Sequence, residues 1–300
     1  MNETLNGNKA THRSGFVAIV GRPNVGKSTL LNQLLGQKVA IVTAKPQTTR
    51  GRILGIVTSP QAQIIFVDTP GWHRPRNLIN QRMVGIAEQA AEEADLRLWV
   101  VDATAGLTTA DRIIAGRLQK SGPTCIALNK IDGLARNALI PILAALAELL
   151  PGRHAIPISA LRKTNFKELL AQVVQLLPEG PCYYDPETFT DQTERMLVQE
   201  VIREKVLLQI EAEVPYSVAV TIDQFEDKGE VAVISATIHV ERDSHKGILI
   251  GSGGRRIKEI GRAARVELEK LLGRRLYLEL FVRVQEEWTK REALLREFGL

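Results

Sequence analysis

The sequence predicts two domains, an α/β domain followed by a smaller α+β domain. The chain has 300 residues and 44% of them are hydrophobic, which is enough apolar material for a core in each of about two domains. In residues 1–180, short apolar runs rich in β-branched residues alternate with longer helix-like segments, which is typical of buried parallel strands joined by helices. After residue 181, a helical segment precedes two strands with alternating hydrophobicity, and this order indicates an α+β unit.

Proline and a change in charge mark the boundary between the domains. Prolines recur within residues 177–186, where the chain can neither continue a helix nor pair readily in a central strand. Residues 1–180 carry 21 basic and 12 acidic side chains, whereas residues 181–300 carry 18 and 22. We therefore expect a flexible polar tail over 1–14, the α/β domain over 15–177, a linker over 178–192, and a second domain with a C-terminal helix over 193–300.

Strands are predicted at short apolar runs, and helices are predicted where apolar residues recur every three or four positions. In the first domain we expect a mostly parallel sheet with helices on both faces. The predicted strands of the first domain are Phe16 to Val20, Ile64 to Val67, Leu96 to Val101, Thr124 to Leu128 and Ala155 to Ile158. The second domain should contain a helix from Thr193 to Ile210, strands from Ser217 to Ile222, Val231 to Val240 and Leu276 to Val284, and a helix that carries Ile257, Ile260, Ala264, Leu268 and Leu271.

Composition excludes several classes of protein. Cys125 and Cys182 lie far apart and the first residues contain no apolar stretch, so neither a disulfide scaffold nor a secretory signal is supported and we expect a reducing cytoplasm. The best candidate for a membrane span, Leu139 to Ala147, is nine residues long and contains Pro141, whereas about 18 apolar residues are needed. Any contact with a membrane would be peripheral.

One segment predicts a phosphate-binding loop. Residues 21–28 read GRPNVGKS and fit the pattern GxxxxGK[ST] between a predicted strand and a helix-like segment. In this pattern backbone N–H groups close around phosphate oxygens, Lys27 places positive charge on the β and γ phosphates, and Ser28 offers its hydroxyl to Mg²⁺. A glycine-rich turn before a helix is the alternative explanation.

A second segment indicates which base is bound. Asn129-Lys130-Ile131-Asp132 follows a predicted strand. The carboxylate of Asp132 can accept both donors on the edge of guanine, N1–H and the exocyclic amine, whereas adenine has no such pair of donors. The sequence therefore favours a guanine nucleotide and disfavours an ATPase, although the tetrapeptide alone could be an ordinary turn after a strand.

Two further loops should complete the site. Asp68 follows a predicted strand, where a carboxylate on the metal side belongs, and Gly71 can bring its N–H to a γ-phosphate. Ser159 and Ala160 follow the last strand, where small residues let backbone N–H groups approach the base. The predicted nucleotide site consists of Gly21, Arg22, Pro23, Asn24, Val25, Gly26, Lys27, Ser28, Thr29, Asp68, Thr69, Pro70, Gly71, Asn129, Lys130, Ile131, Asp132, Ser159 and Ala160.

In this order the motifs resemble those of the translation-factor-related GTPases, and with the second domain the chain is similar to the Era family of ribosome-assembly GTPases from Gly15 to Leu300. The resemblance implies a P-loop GTPase domain with slow intrinsic hydrolysis of GTP to GDP and phosphate. It places Gln47-Thr48-Thr49-Arg50 in the first switch and implies that Thr49 reaches Mg²⁺ and the γ-phosphate. The expected metal site is Ser28 and Thr49, with Asp68 behind them.

Trp72 occupies the position after Gly71, where many GTPases carry a glutamine that orients the attacking water. An indole cannot do this, and the resemblance implies that Asn24 instead helps to hold K⁺ beside the phosphates. The alternatives are that Asn24 only shapes its loop, or that Arg50 or Arg52 donates the charge. The expected catalytic residues are Lys27, Thr49, Gly71 and Asn24.

The second domain contains one concentrated basic segment. Residues 242–275 carry ten basic and four acidic side chains, whereas residues 181–241 carry four and 13. The basic segment contains a GxxG turn before a helix, and the order of elements around it resembles a type II KH domain, which holds single-stranded RNA. The resemblance implies RNA contacts at Lys246, Gly251, Ser252, Gly253, Gly254, Arg255, Arg256 and Lys258. Ser252 and Gly253 depart from the family, which usually places a basic residue within this pair.

The two halves together predict a switch that binds and hydrolyses GTP and binds RNA. The resemblance implies Mg²⁺ and K⁺ as cofactors, the 3′ region of 16S rRNA and the small ribosomal subunit as partners, and a role in assembly and maturation of that subunit. Two alternatives stay open: an RNA-binding scaffold with a vestigial nucleotide site, and a membrane-associated signalling GTPase. We expect a cytoplasmic monomer, and only the family suggests peripheral association with the inner face of the cell membrane.

Overall fold

A computed structural model gives the fold and describes residues 12–45, 47–75, 77–210 and 217–300. The first domain contains strands β1 (Arg13–Val20), β2 (Ile53–Thr58), β3 (Ala62–Asp68), β4 (Leu96–Asp102), β5 (Thr124–Asn129) and β6 (Ala155–Pro157). They form one six-stranded sheet in the order β2-β3-β1-β4-β5-β6. All neighbouring pairs are parallel except β2 with β3. The loops that follow β1, β3, β5 and β6 therefore emerge at one edge of the sheet.

Helices cover both faces of this sheet, as predicted. They are α1 (Lys27–Leu35), α2 (Leu78–Glu93), α3 (Thr109–Leu118), α4 (Arg136–Leu149) and α5 (Phe166–Leu176). Leu30 of α1 and Leu169 of α5 belong to the core on one face. Ala87 of α2, Ile114 of α3 and Leu146 of α4 belong to the core on the other face. The α/β domain with a mostly parallel sheet is confirmed.

The edge strand β2 was not predicted from the sequence. Gly55 lies in its middle, and glycine weakens the strand signal because it has no side chain to pack. The structure shows why glycine is suited there: a Cβ atom would lie 2.5 Å from Cδ1 of Leu31, so its absence lets α1 approach the strand. The strand β1 begins at Arg13, two residues inside the expected tail, and residues 1–11 of that tail lie outside the described residues.

The linker lies along the β2 edge of the first domain rather than apart from it. The carbonyl oxygen of Phe189 accepts a hydrogen bond from the Ile56 amide at 2.8 Å, and the Thr190 hydroxyl donates to the Leu54 carbonyl at 2.7 Å. The rings of Phe16 and Tyr183 lie 5.5 Å apart. The linker thus covers an edge that would otherwise present unpaired backbone groups.

The second domain is the predicted α+β unit. Its elements are α6 (Glu194–Gln209), β7 (Ala219–Asp227), β8 (Val231–Val240), α7 (Asp243–Ile250), α8 (Arg255–Leu272), β9 (Arg275–Val284) and α9 (Glu292–Glu297). The sheet order is β7-β8-β9, with β7 antiparallel and β9 parallel to β8. Helices α6, α7 and α8 share one apolar core with this sheet. The register shifts between Ile222 and Gln224, and this irregularity explains why the alternation in sequence ended five residues before β7 does.

The C-terminal segment joins the two domains. Trp288 is fully buried in a cluster with Ile79 and Met83 of α2, Ala219 of β7, and Phe298. The indole N–H of Trp288 donates to the Ser217 carbonyl at 3.0 Å. The predicted C-terminal helix is short, and its main role is to hold the second domain against α2.

Candidate nucleotide site and RNA groove

The phosphate-binding loop occupies residues 21–26, between the end of β1 and the start of α1, at the carboxyl edge of the parallel sheet. Gly26 has a φ of 99°, a conformation that favours glycine, and a Cβ atom on it would lie 2.4 Å from Nδ2 of Asn129. The backbone N–H groups at the start of α1 make this end of the helix suited to an anion. Asn24 also has a positive φ, of 64°.

Lys27 is enclosed by its own loop. Its side chain is only 6% exposed, and Nζ donates to the carbonyl oxygens of Gly21 at 3.3 Å and Arg22 at 3.0 Å. Burial lowers the pKa of Lys27 to about 8, although the nearby Asp68 carboxylate opposes this shift. The structure therefore holds a buried ammonium group that a phosphate can stabilise.

The predicted metal residues converge. The Ser28 hydroxyl donates to Oδ2 of Asp68 at 2.6 Å, and the hydroxyl oxygens of Ser28 and Thr49 lie 2.9 Å apart. Oδ1 of Asp68 is buried without a hydrogen-bond partner among the described residues. Burial raises the pKa of Asp68, and this effect outweighs Lys27 and the hydroxyls, which lower it. Two hydroxyls and a carboxylate form the oxygen-rich donor set that Mg²⁺ prefers, so these residues fit the ion.

The base-recognition loop is fixed to the phosphate loop. Nδ2 of Asn129 donates to the Val25 carbonyl at 2.8 Å, and its Oδ1 accepts from the Ala160 amide at 2.8 Å. Nζ of Lys130 donates to the Asn24 carbonyl at 2.7 Å. The Ser159 hydroxyl donates to Oδ1 of Asp132, and this bond positions the exposed Asp132 carboxylate at the edge of the site. Asn129 and Lys130 thus connect the loops, while Asp132 faces solvent where a base would bind.

Two adjoining cavities occupy this edge of the sheet. A cavity of about 450 Å³ is lined by Asn24, Lys27, Ser28, Thr49 and Gly71, among others. A second cavity of about 290 Å³ is lined by Asn129, Asp132 and Ala160. Gly26, Thr29 and Lys130 line both, so the two cavities form one elongated site with a phosphate end and a base end.

Some predicted residues shape the loops without lining these cavities. Arg22 forms an ion pair with Asp111 at 2.8 Å, Val25 belongs to the hydrophobic core, and the Thr69 hydroxyl donates to the Ile19 carbonyl at 2.9 Å. Pro70 is buried and Ile131 packs against the core on the α4 side. The sequence did not single out several lining residues that carry no motif: Thr104, Gly133 and Leu161 at the base end, and Ile41, Val42, Thr43 and Ala44 at the phosphate end.

The alternative sources of catalytic charge do not face the phosphates. Arg50 is buried, and its guanidinium donates to the Val218 carbonyl at 2.7 Å and lies 5.8 Å from the centre of the Trp288 ring. Burial and the neighbouring Arg203 lower the pKa of Arg50 to about 9. Arg52 lines a cavity between the domains instead. In contrast, Asn24 lines the phosphate cavity, where its Nδ2 donates to the Ala44 carbonyl at 2.8 Å.

The predicted RNA residues surround the turn between α7 and α8. Gly251, Gly253 and Gly254 all have positive φ values, and the Gly254 amide donates to the Gly251 carbonyl at 3.2 Å, which closes the turn. Ser252, Gly253, Arg255 and Lys258 are exposed, whereas Lys246 and Arg256 are partly buried. Arg256 donates to the Ile248 carbonyl at 2.6 Å, so one of the two displaced arginines supports the turn itself.

A groove of about 340 Å³ continues from this turn; we call it the KH groove. It is lined by Ile257, Lys258, Gly261, Arg262, Arg265, Leu278 and Leu280. Arg262 and Arg265 were not among the predicted contacts, although their spacing from Lys258 along α8 repeats every three or four residues and places all three on one helix face. Basic side chains along one side of an apolar groove are suited to single-stranded RNA, because they can contact its phosphates while the bases lie against the apolar residues.

The second domain contacts the segment that is predicted to be the first switch. We call residues 38–45 and 47–50 the switch segment. Glu204 of α6 is 3% exposed, and its carboxylate accepts from the Val42 amide at 2.9 Å and from Lys38 at 2.5 Å. Arg203 donates to the Thr48 carbonyl, one residue from Thr49, which is a predicted metal ligand. Lys38 also pairs with Glu267 of α8, so the switch segment contacts α6 and also α8, the helix that lines the KH groove.

Comparisons with known proteins agree with this geometry. Residues 16–130 match the family described as 50S ribosome-binding GTPase, and residues 213–289 match the KH domain. The GTPase Era of Geotalea daltonii is 47% identical over 288 residues, which cover 95% of this chain and 97% of the relative. The GTPase Era of Syntrophus aciditrophicus is 49% identical over 290 residues, 96% of this chain and 95% of the relative.

Two solved structures are similar over the same extent. A crystal structure of Era in complex with MgGDPNP and nucleotides 1506–1542 of 16S ribosomal RNA has a TM-score of 0.93 and 42% identity, and covers 96% of this chain and 99% of that one. A variant of Era from Aquifex aeolicus bound to GDP and aluminium fluoride has a TM-score of 0.92, 42% identity and the same coverage. With its P-loop, guanine-binding loop and KH groove in this arrangement, the chain belongs to the Era family of GTPases.

Proposed function

We propose that this protein is a GTP-driven switch in the assembly and maturation of the small ribosomal subunit, and that it binds 16S rRNA near its 3′ end. The observation that carries the proposal is the direct contact between the switch segment and α6, which links the nucleotide site to the RNA-binding domain. The similar Era structure with MgGDPNP and 16S rRNA nucleotides supports the choice of both ligands.

The nucleotide chemistry follows from the residues at the phosphate end. Lys27 and the N–H groups of the loop bind the β and γ phosphates, and Ser28, Thr49 and Asp68 would hold Mg²⁺. When bound, Mg²⁺ offsets the negative charge of the phosphates. Since Thr49 belongs to the switch segment, loss of the γ-phosphate removes a contact of that segment with the nucleotide. A movement of the segment would then reach α6, because Arg203 of α6 donates to the Thr48 carbonyl.

K⁺ is proposed as the second cation. Asn24 lies at the phosphate cavity, and because its Nδ2 donates to the Ala44 carbonyl, its Oδ1 is the neutral oxygen atom that would serve as a ligand of a large monovalent cation. We expect K⁺ to accelerate hydrolysis and Na⁺ not to do so, because the smaller ion does not match a site built for K⁺. Equal rates in the two chloride salts would rule out this role for Asn24.

The RNA site is tested by charge reversal at the turn. Arg255→Glu with Arg256→Glu should weaken binding of a 3′-end 16S rRNA oligonucleotide and flatten the dependence of its affinity on salt, because phosphate contacts are lost. GTP affinity should stay unchanged, since both residues lie outside the nucleotide cavities. Lys120→Glu, on the exposed side of the first domain, is the matched control. Unchanged RNA affinity in the double variant would count against this turn as the site.

Two alternatives make different predictions. A scaffold with a vestigial nucleotide site predicts that Lys27→Ala hydrolyses GTP as fast as the wild type, whereas we expect the variant to be inactive. A membrane-associated signalling GTPase predicts sedimentation with anionic liposomes that RNA does not prevent. We propose a cytoplasmic monomer, which a single species of about 33 kDa in light scattering would support. No helix within the described ranges is long and apolar enough to cross a bilayer.

A further inference from the structure

The residue after Gly71, Trp72, cannot orient the attacking water. Trp72 is 6% exposed and lies in the core of the first domain beside Ala87 and Ala91 of α2. Its ring stacks under the Arg117 guanidinium at 5.6 Å. The Trp72 side chain is therefore turned away from the phosphate cavity. A polar group that positions water must come from another part of the site.

Gln47 of the switch segment lines the phosphate cavity together with Lys27, Ser28, Thr49 and Gly71. Its φ is 63°, a left-handed conformation that is unfavourable for a residue with a side chain. Such conformations concentrate at functional sites, because the surrounding structure must hold them in place. Gln47 is thus a polar side chain held in an uncommon backbone conformation at the phosphate end of the site.

A chain of hydrogen bonds fixes which end of the Gln47 amide contacts His73. The Gly71 carbonyl lies 2.8 Å from Nδ1 of His73, and since a carbonyl only accepts, Nδ1 carries the proton. In the neutral ring Nε2 of His73 is then an acceptor, and Nε2 of Gln47 donates to it at 3.2 Å. The amide nitrogen of Gln47 is therefore held by His73, and within the described part of the chain no group donates a hydrogen bond to its Oε1.

We propose that Gln47 is the residue that orients the attacking water for hydrolysis, with His73 as a positioning residue behind it. Oε1 of Gln47 accepts a hydrogen bond from the water, whose oxygen attacks the γ-phosphorus while the bond from that phosphorus to the β–γ bridging oxygen breaks. The proton of the water passes to a γ-phosphate oxygen, so the products are GDP and inorganic phosphate. Gln47 only orients the water and is chemically unchanged.

Two cationic side chains near the cavity are already engaged. Arg50 donates to a carbonyl of the second domain, and Lys130 connects the base loop to the Asn24 carbonyl. His73 itself does not line the cavity, so it acts through Gln47. Because Gln47 belongs to the switch segment and Gly71 to the loop after β3, the chain from Gly71 through His73 to Gln47 also connects these two loops beside the phosphate cavity.

The test compares Gln47→Ala with Gln175→Ala, which removes an exposed glutamine of α5 far from the nucleotide site. Loss of a preorganised hydrogen bond that acts in the transition state should lower kcat on the order of 100-fold. Binding of the unhydrolysed analogue GDPNP should change less than twofold. Affinity for GDP with aluminium fluoride, which mimics the transition state, should fall with kcat. The Gln175 variant should behave as wild type in all three measurements.

His73→Ala distinguishes the positioning role from a structural one. We expect it to lower kcat about tenfold with GDPNP affinity unchanged, and the double variant with Gln47→Ala to be no slower than Gln47→Ala alone, since both act on one water. A Gln47→Ala enzyme within twofold of the wild-type kcat, or one whose GDPNP affinity falls as much as kcat/KM, would overturn the inference. This inference rests on the proposed GTP hydrolysis, and that proposal fails separately if the wild-type protein itself does not turn over.

Discussion

Replacing Lys27 with methionine is expected to stabilise the nucleotide-free protein while it abolishes tight GTP binding. Lys27 is buried, and its pKa of about 8 lies well below the ordinary lysine pKa of 10.5. The ammonium group is therefore an unfavourable feature of the empty site that phosphate binding relieves. Methionine has similar volume and no charge, so it removes the desolvation penalty without leaving a large cavity.

The size of the effect follows from the pKa. This difference in the pKa of Lys27 between the folded and unfolded states lowers the free energy of unfolding by about 3 kcal/mol at neutral pH, at 1.36 kcal/mol per pKa unit. Loss of the hydrogen bonds from Nζ to the carbonyls of Gly21 and Arg22 offsets about 1 kcal/mol. The net expectation is that the free energy of unfolding rises by about 2 kcal/mol at pH 7.

The pH dependence has a defined sign. Because the unfolded chain binds the Lys27 proton more tightly than the folded one, the wild type gains stability as pH rises from about 8 towards 10.5. The advantage of the methionine variant should therefore shrink across this window. Urea denaturation of the nucleotide-free proteins at pH 7 and pH 10 measures this difference in the free energy of unfolding, and Lys120→Met at an exposed position is the control. A variant that is less stable than wild type at pH 7 would refute the reasoning.

The remaining predictions concern the base site and the junction between domains. Asp132→Asn should lower GTP affinity about 10- to 100-fold and raise that for xanthosine triphosphate, since the amide donates where the carboxylate accepted; unchanged preference in a competition assay would contradict this. Trp288→Ala should lower the free energy of unfolding by about 3–5 kcal/mol, because a fully buried ring and its hydrogen bond are lost. Tyr277→Ala, at an exposed ring, is its control, and equal effects of the two changes would argue against the C-terminal cluster as the domain junction.

Local sequence signals predicted much of the fold. The strand from Val231 to Val240 has the predicted bounds, because apolar residues that are all buried recur there at every second position, namely Ala232, Ile234, Ala236, Ile238 and Val240. The phosphate loop was placed between β1 and α1 because its glycines and the flanking apolar runs are contiguous in sequence. Such features depend on neighbours within a few residues, which periodicity and composition describe well.

Contacts between distant segments could not be predicted. Asn129 reaches the Val25 carbonyl across 104 residues, and Glu204 reaches the Val42 amide across 162. A motif names Asn129 as a base-site residue, but only the folded chain shows that it also fixes the phosphate loop. Glu204 lies on a helix among other charged residues and carries no motif, so its burial against the switch segment had no signal in the sequence.

The central claim, that RNA and GTP act on one another through α6, is tested most directly by single-turnover GTP hydrolysis in K⁺ buffer with and without a 3′-end 16S rRNA oligonucleotide. The wild type should hydrolyse faster with RNA. Glu204→Gln, which removes the charge that holds Lys38 and weakens the acceptor of the Val42 amide, should bind RNA and GTP normally and show little stimulation. A wild-type rate that RNA leaves unchanged, or equal stimulation of the two proteins, would contradict the account.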